Sequence, residues 1–436
     1  MNGSDRRTAA ACPCPAARDS LYTPVRVVEL DLDEPGELHS PGGLGPADPD
    51  GRVLALVRLH GHPLGLVTAT GTAGRSAALC RALVDAAHRE LQVPSLSTAT
   101  AGTLPDRTGR ARAAAAPLIS VIVCTRNRPQ LLPRSLDSLL RTDHPRVEVI
   151  VVDNAPADDA TEQLVRSCYG SRVRYLREPV PGLARARNRG LAAARGELCA
   201  FADDDLVVDS GWVSAMVEAF RSDDRIGCVT GLVMPAELDT EAQIALEEYG
   251  GYARGFTARS WSLRDHSEDP LLRFSVGRFG SGANMAFRTG LLRRLGGFDT
   301  ATGAGTAARG GEELLVFFRV FNGGHTVAYQ PDAIVWHPHP RSMEALTRQV
   351  FNYGVGFGAY LAAAVSHQPR VLAGLVRLLP RGVWRWLAAR RQRAQDAPVA
   401  RDALAGLGRL EFGGLMYGPF SYLLSVWHQR GVRTGE

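Results

Sequence analysis

LISVIVC, residues 118–124, and VEVIVVD, residues 147–153, are the two runs on which the fold is read. Each is apolar at nearly every position and rich in β-branched residues, as a parallel strand covered on both faces requires. A helical stretch at 129–141 separates them. Helix (159–168), strand (173–177), helix (184–195) and strand (198–202) follow with short connections. This alternation predicts a doubly wound α/β sheet with right-handed crossovers, whose ligands sit beyond the carboxyl ends of the strands.

The rest of the chain is arranged around that sheet. Residues 1–23 are polar and proline-punctuated, the composition of a disordered start. Residues 24–93 predict a small α+β module, with strands at 25–30, 53–59 and 66–67, a loop over 35–51 and an amphipathic helix at 76–91. Residues 94–117 form a low-complexity linker, the sheet domain runs from 118 to 340, and residues 341–436 are helical. The 436 residues, 45% hydrophobic, are enough for more than one domain. The net charge of +5 is mild and does not call for nucleic acid. All 50 basic residues are arginine. Without lysine there is no Walker A ATPase, no ordinary protein-kinase site and no pyridoxal Schiff base. Seven scattered cysteines show no zinc spacing and predict reduced thiols in a cytoplasmic protein, and the first residues lack the apolar stretch of a secretory signal.

The unusual residues cluster at the predicted strand ends. The first strand runs into Thr125, Arg126 and Asn127, and the second ends in Asp153, placed to meet a nucleobase or ribose or, equally, to serve as a turn or helix-cap aspartate. The fourth ends in Asp203, Asp204 and Asp205. Three consecutive carboxylates ending an apolar strand repel one another and invite Mg²⁺ or Mn²⁺, completed by phosphate and water. Arg185, Arg187, Asn188 and Arg189 open a helix, where an arginine is unfavourable beside the dipole unless an anion is near.

In this order, LISVIVCTRNRP, VIVVD, the Arg187-Asn188 block, FADDD, the block around Asn284, the Gly296–Asp299 turn and Arg309–Glu313 resemble the family 2 glycosyltransferases of GT-A fold, over roughly residues 118–339. The resemblance implies a mixed, doubly wound sheet and an inverting, hexosyltransferase-type reaction. A sugar passes from a nucleotide-diphospho-sugar to a hydroxyl acceptor, in cell-envelope, polysaccharide or glycolipid synthesis. It implies that Thr125, Arg126, Asn127, Asp153, Arg187, Asn188, Asp203 and Asp204 bind the donor. Asp203 and Asp205 would hold Mn²⁺ or Mg²⁺ as a DxD pair, with His337, or His339 in its place, as a further ligand. Glu312 and Glu313 stand where the family has its Glu-Asp pair, so Glu313 replaces the usual aspartate base, one methylene longer. Leu315 occupies a position that is acidic in many relatives. A non-catalytic sugar-nucleotide or glycan-binding protein, and a sugar nucleotidyltransferase, are the alternative readings.

Two uncharged runs, 349–369 and 412–427, flank an arginine-dense stretch at 370–401 that includes Trp384, Arg385 and Trp386. Each run is too short or too broken to span a bilayer. Arginine interleaved with tryptophan predicts peripheral contact with an anionic leaflet, on the cytoplasmic face of the plasma membrane, suited to a lipid-linked acceptor. A helical cap packed on the sheet domain is the alternative.

Overall fold

The computed structural model describes residues 24–91, 93, 116–265, 269–396 and 401–434. The expected disordered start and nearly all of the linker lie outside the described residues. So do the side chains of Arg385, Trp386, Arg390, Arg391 and Arg393.

Four strands and a helix form the N-terminal module: β1 (Val25–Asp31), β2 (Leu38–His39), β3 (Gly51–Leu59), β4 (His62–Gly71) and α1 (Ser76–Glu90). The sheet order is β2-β1-β3-β4, with β1 parallel to β3 and β4 antiparallel to it. β4 is much longer than the expected 66–67. His60 and Gly61 both take positive φ (52° and 76°), so the chain turns within two residues and β4 pairs along the whole of β3. One face of this sheet packs on α1 through Val53, Ala55, Leu79 and Leu83. The other contributes Val25, Leu54 and Leu56 to the core of the larger domain. Arg58 is buried in that seam, 2.5 Å from Glu29 and 2.7 Å from Asp209, and His62 lies 3.0 Å from Asp332.

The larger sheet begins with β5 (Ile119–Thr125), α2 (Leu132–Leu139), β6 (Val147–Asn154), α3 (Ala160–Leu164), β7 (Val173–Glu178), α4 (Leu183–Ala193) and β8 (Leu198–Asp203). It continues with β9 (Val207–Val208), α5 (Trp212–Ser222), β10 (Ile226–Pro235), α6 (Glu241–Tyr249), β11 (Arg259–Trp261), β12 (Asn284–Arg288) and α7 (Thr289–Arg294). α8 (Glu312–Asn322) and β13 (Thr326–His337) complete it. The order is β11-β13-β10-β12-β8-β5-β6-β7, with β9 beside β13. β5 to β8 are mutually parallel, whereas β12 runs antiparallel to both β8 and β10 and makes the sheet mixed. Both faces of the parallel strands are covered, as their unbroken apolar runs require. Val121, Val123, Val149 and Val151 join the cluster of Leu136, Trp212 and Met216, while Ile122, Ile150 and Val152 join that of Leu191 and Phe317.

Three helices end the chain: α9 (Met343–His367), α10 (Val371–Asp396) and α11 (Arg401–Thr434). α9 and α11 cross backbone to backbone. A Cβ on Gly354 would stand 1.9 Å from the Glu411 carbonyl oxygen, and one on Gly418 2.6 Å from the Cα of Gly358. The uncharged runs pack largely against each other at this crossing. Among the described residues no helix is long and apolar enough to cross a membrane.

Candidate active site

The carboxyl ends of β5, β6 and β8 lie side by side, with Thr125 in register with Asp153 and Cys124 with Asp203. Asp153 is fully buried at the end of β6. One of its oxygens accepts from the Tyr175 hydroxyl at 3.0 Å, while the other is buried with no hydrogen bond. Burial raises its pKa, against the pull of Tyr175. A buried carboxylate oxygen left open at a strand end can accept from a nucleoside.

Several residues expected to touch the donor spend their side chains on the protein instead. The Thr125 hydroxyl donates to Asp204 at 2.6 Å, and Arg128 bonds both Asp204 and Asp205 from the rim. Burial raises the Asp204 pKa, with Thr125 opposing. These two side chains therefore shape the turn after β8 rather than face the cleft. Asn127, at φ 55°, accepts from the backbone N–H of Ala157. Asn188 both donates to and accepts from the backbone of Phe298 at 2.8 Å, which clamps the turn over 296–299. Arg126 is exposed at the rim. Asn154, next to Asp153 at the end of β6, accepts from the Gly182 N–H and donates to the Val180 carbonyl, and so sets the entry to α4.

Arg187 is buried rather than presented on the helix surface. Its guanidinium lies 2.9 Å from Glu312 and 3.7 Å from Asp203, donates to the Gly282 carbonyl at 3.3 Å and sits against Phe298. Burial works against this charge, but Glu312 and Asp203 outweigh it and raise the pKa. Glu312 is thus committed to orienting Arg187. Arg185, half-buried in the first turn of α4, is the arginine left nearer the helix N-terminus.

Glu313 projects beside the Gly282 loop, where a Cβ on Gly282 would be 3.1 Å from its Cγ. Its pKa is pushed up to about 8, first by burial and then by Glu312, with Arg187 opposing. Leu315 is fully buried in the apolar core. Asp203 is also raised, by burial first, with Arg187 opposing and Asp205 adding to the shift. One oxygen of Asp205 is buried without a partner. Among the described residues no three acidic, histidine or cysteine side chains converge to hold a metal. Asp203, Asp205 and His337 are thus not drawn together into a three-ligand group. His337 Nδ1 lies 2.7 Å from the Pro338 carbonyl, and its ring packs on Tyr252. His339 does not replace it: it is buried, with Nε2 2.6 Å from Glu247. The unpartnered oxygen of Asp205 is of a kind that suits a cation.

The rim opposite β8 is formed by residues that sequence reasoning did not single out. The hydroxyls of Tyr252 and Tyr353 share a short hydrogen bond, and Gln349 donates to Tyr252 at 2.6 Å. Tyr353 is pushed up to about 12 by burial, with Glu313 adding to the shift, and Tyr252 is raised by burial with a contribution from Asp203. Burial lowers the pKa of Arg254, which neighbours both tyrosines. Their sequence separation of about a hundred residues left no local signal.

The site thus combines a mixed α/β sheet with carboxylates at its strand ends, an ion-paired arginine on the crossover helix and two glutamates opening a later helix. Residues 120–296 match the family model described as glycosyl transferase family 2, so this stretch of the chain is similar to that family. An uncharacterized protein, y4gI of Sinorhizobium fredii, is 36% identical over 118 residues, 26% of this chain and 13% of that one. The succinoglycan biosynthesis protein ExoM of Rhizobium meliloti is 29% identical over 254 residues, 56% of this chain and 75% of that one. The chain thus spans a small part of one relative and three quarters of the other. Among solved structures, the mannosyltransferase PcManGT from Pyrobaculum calidifontis, in complex with GDP-Man and Mn²⁺, matches with a TM-score of 0.44. The identity is 20% over 70% of this chain and 88% of that one.

Proposed function

We propose that the protein is an inverting, metal-dependent glycosyltransferase that moves one sugar from a nucleotide-diphospho-sugar to a hydroxyl of a polysaccharide or lipid-linked acceptor. The observation that carries this reading is the placement of Glu313 next to the buried Arg187–Glu312 pair, whose guanidinium also reaches to 3.7 Å from Asp203. Asp153 would receive the nucleoside through its open oxygen, and Arg185 at the start of α4 would face the diphosphate. Asp203 and Asp205 would hold the divalent cation. When bound, it would offset charge on the leaving diphosphate as a Lewis acid. Glu313 would take the proton of the acceptor hydroxyl as that oxygen bonds to the anomeric carbon from the side opposite the phosphate. The bond from carbon to phosphate oxygen breaks, and the nucleoside diphosphate leaves with the electron pair. Glu312 fixes Arg187 beside Asp203 and keeps Glu313 basic. Tyr252, Tyr353 and Gln349 would line the acceptor side, and the match to ExoM supports a polysaccharide product.

Thermal stability in the presence of nucleoside diphosphates and sugar nucleotides, with and without Mn²⁺, tests the donor site. One nucleotide should raise the midpoint in a metal-dependent way, and Asp203→Asn with Asp205→Asn should abolish that shift. Glu313→Gln should keep the shift and lose turnover. Full turnover in that variant would rule out the base. A shift without turnover in the wild type would favour a binding protein, and release of pyrophosphate would favour a nucleotidyltransferase.

A further inference from the structure

The solvent face of α11 is apolar over four turns. Phe412, Met416, Phe420, Leu423 and Trp427 recur at three- and four-residue spacing and are exposed by 43%, 66%, 60%, 65% and 68%. The opposite face is occupied by the glycine crossing with α9 and by Ser421, Tyr422 and Ser425, which are buried. Among the described residues nothing covers the stripe. A stripe of this length on a soluble surface marks an interaction site.

Charge identifies what covers it. From Phe412 to Thr434 there is no acidic residue, and Arg409 and Arg430 are exposed near the two ends of the stripe. α10, packed on α11, carries six arginines and no acid between residues 371 and 395, and exposes Arg377, Arg381, Leu372, Val376 and Trp384. A second copy meeting this face about a twofold axis would set arginine against arginine. An anionic bilayer accepts both features, with the apolar row entering the acyl boundary and the arginines staying at the headgroups.

We propose that α11 lies in the plane of an anionic lipid surface, with Met416, Phe420, Leu423 and Trp427 inserted and α10 resting on the headgroups beside it. The expected arginine–tryptophan contact of α10 is thereby joined to, and subordinate to, an apolar face one helix further on. The proposal stands independently of the donor and acceptor chemistry.

Co-sedimentation of the full chain with phosphatidylcholine vesicles, and with vesicles of equal parts phosphatidylcholine and phosphatidylglycerol, tests it. The protein should partition onto the mixed vesicles, release progressively with salt and bind the neutral vesicles more weakly. The combined variant Met416→Ser, Phe420→Ser, Leu423→Ser should keep the wild-type melting midpoint, because these side chains are exposed, and lose at least about tenfold in partitioning. Unchanged partitioning of that variant would overturn the proposal, as would failure of the wild type to bind either vesicle. A dimer in light scattering that the triple substitution dissolves would assign the face to a second copy and overturn it equally.

Discussion

Glu313 should make the reaction rise with pH. The folded protein raises this carboxyl from its usual range to about 8, by burial first and the neighbouring Glu312 second. A base with that pKa is ionised in only about one molecule in ten at pH 7, so kcat/KM should climb roughly tenfold between pH 7 and 9 and level off above. The sign follows from the charge: the protonated carboxyl cannot accept the acceptor's proton, so activity is present above the folded pKa and lost below it. Replacing Glu312 by Gln removes the like charge that ranks second among the causes. It also frees Arg187, whose present partner at 2.9 Å is Glu312, to stabilise ionised Glu313. Both changes act in one direction, so the limb should move at least about one unit toward acid while kcat falls because Arg187 loses its orientation. The assay is release of nucleoside diphosphate from the sugar nucleotide that stabilises the protein, followed across pH 6 to about 9.5 in wild type, Glu312→Gln and Glu313→Gln. A limb that stays put in Glu312→Gln, or survives in Glu313→Gln, would refute the reasoning.

Three further outcomes follow from the packing. Arg58→Met strands Glu29 and Asp209 as facing buried carboxylates. Urea unfolding at pH 7 should show a loss of about 3–5 kcal/mol, and the loss should shrink as the pH falls and Glu29, which burial holds above the usual carboxylate range, takes up a proton. Asn284 is fully buried. It donates to the Leu232 and Ala333 carbonyls and accepts from the Trp212 indole, so Asn284→Ala should cost about 2–4 kcal/mol in the same assay. Gly354→Val would force α9 off α11 and should lower stability by at least about 1–3 kcal/mol, whereas Gly406→Val, where nothing lies within 4 Å, should cost far less.

What sequence made legible was what neighbouring residues decide among themselves. The parallel strands show as unbroken apolar runs because both their faces are covered locally, and the acidic end of β8 and the glutamates opening α8 stand out against such backgrounds. What it hid depends on partners far along the chain. Thr125 and Asn188 look like ligand-facing polar residues until Asp204 and the Phe298 backbone claim them. His337 and His339 are two residues apart, yet Glu247 takes only His339. The length of β4 was obscured by Pro63 and Gly65, which interrupt its apolar pattern. α11 is the clearest case: residues 412–427 read as uniformly uncharged, and only the glycine contacts from α9 decide which side is buried and which is left bare.

Those glycines also bear on the mechanics of the site. Gly311, at φ 89°, carries the chain into α8 across the surface of α9, where a Cβ would stand 2.3 Å from the Gly356 carbonyl oxygen. Two residues earlier on α9, Gly354 meets the Glu411 carbonyl of α11. Between the outward row of α11 and Glu313 there is therefore a train of backbone touching backbone, without rotatable side chains to absorb displacement. An insertion of one residue in α9 between Gly354 and Gly356 would turn the two contacts out of step by about 100°. The chain can vary in length elsewhere, but this stretch works as gearing and has to keep its tooth count.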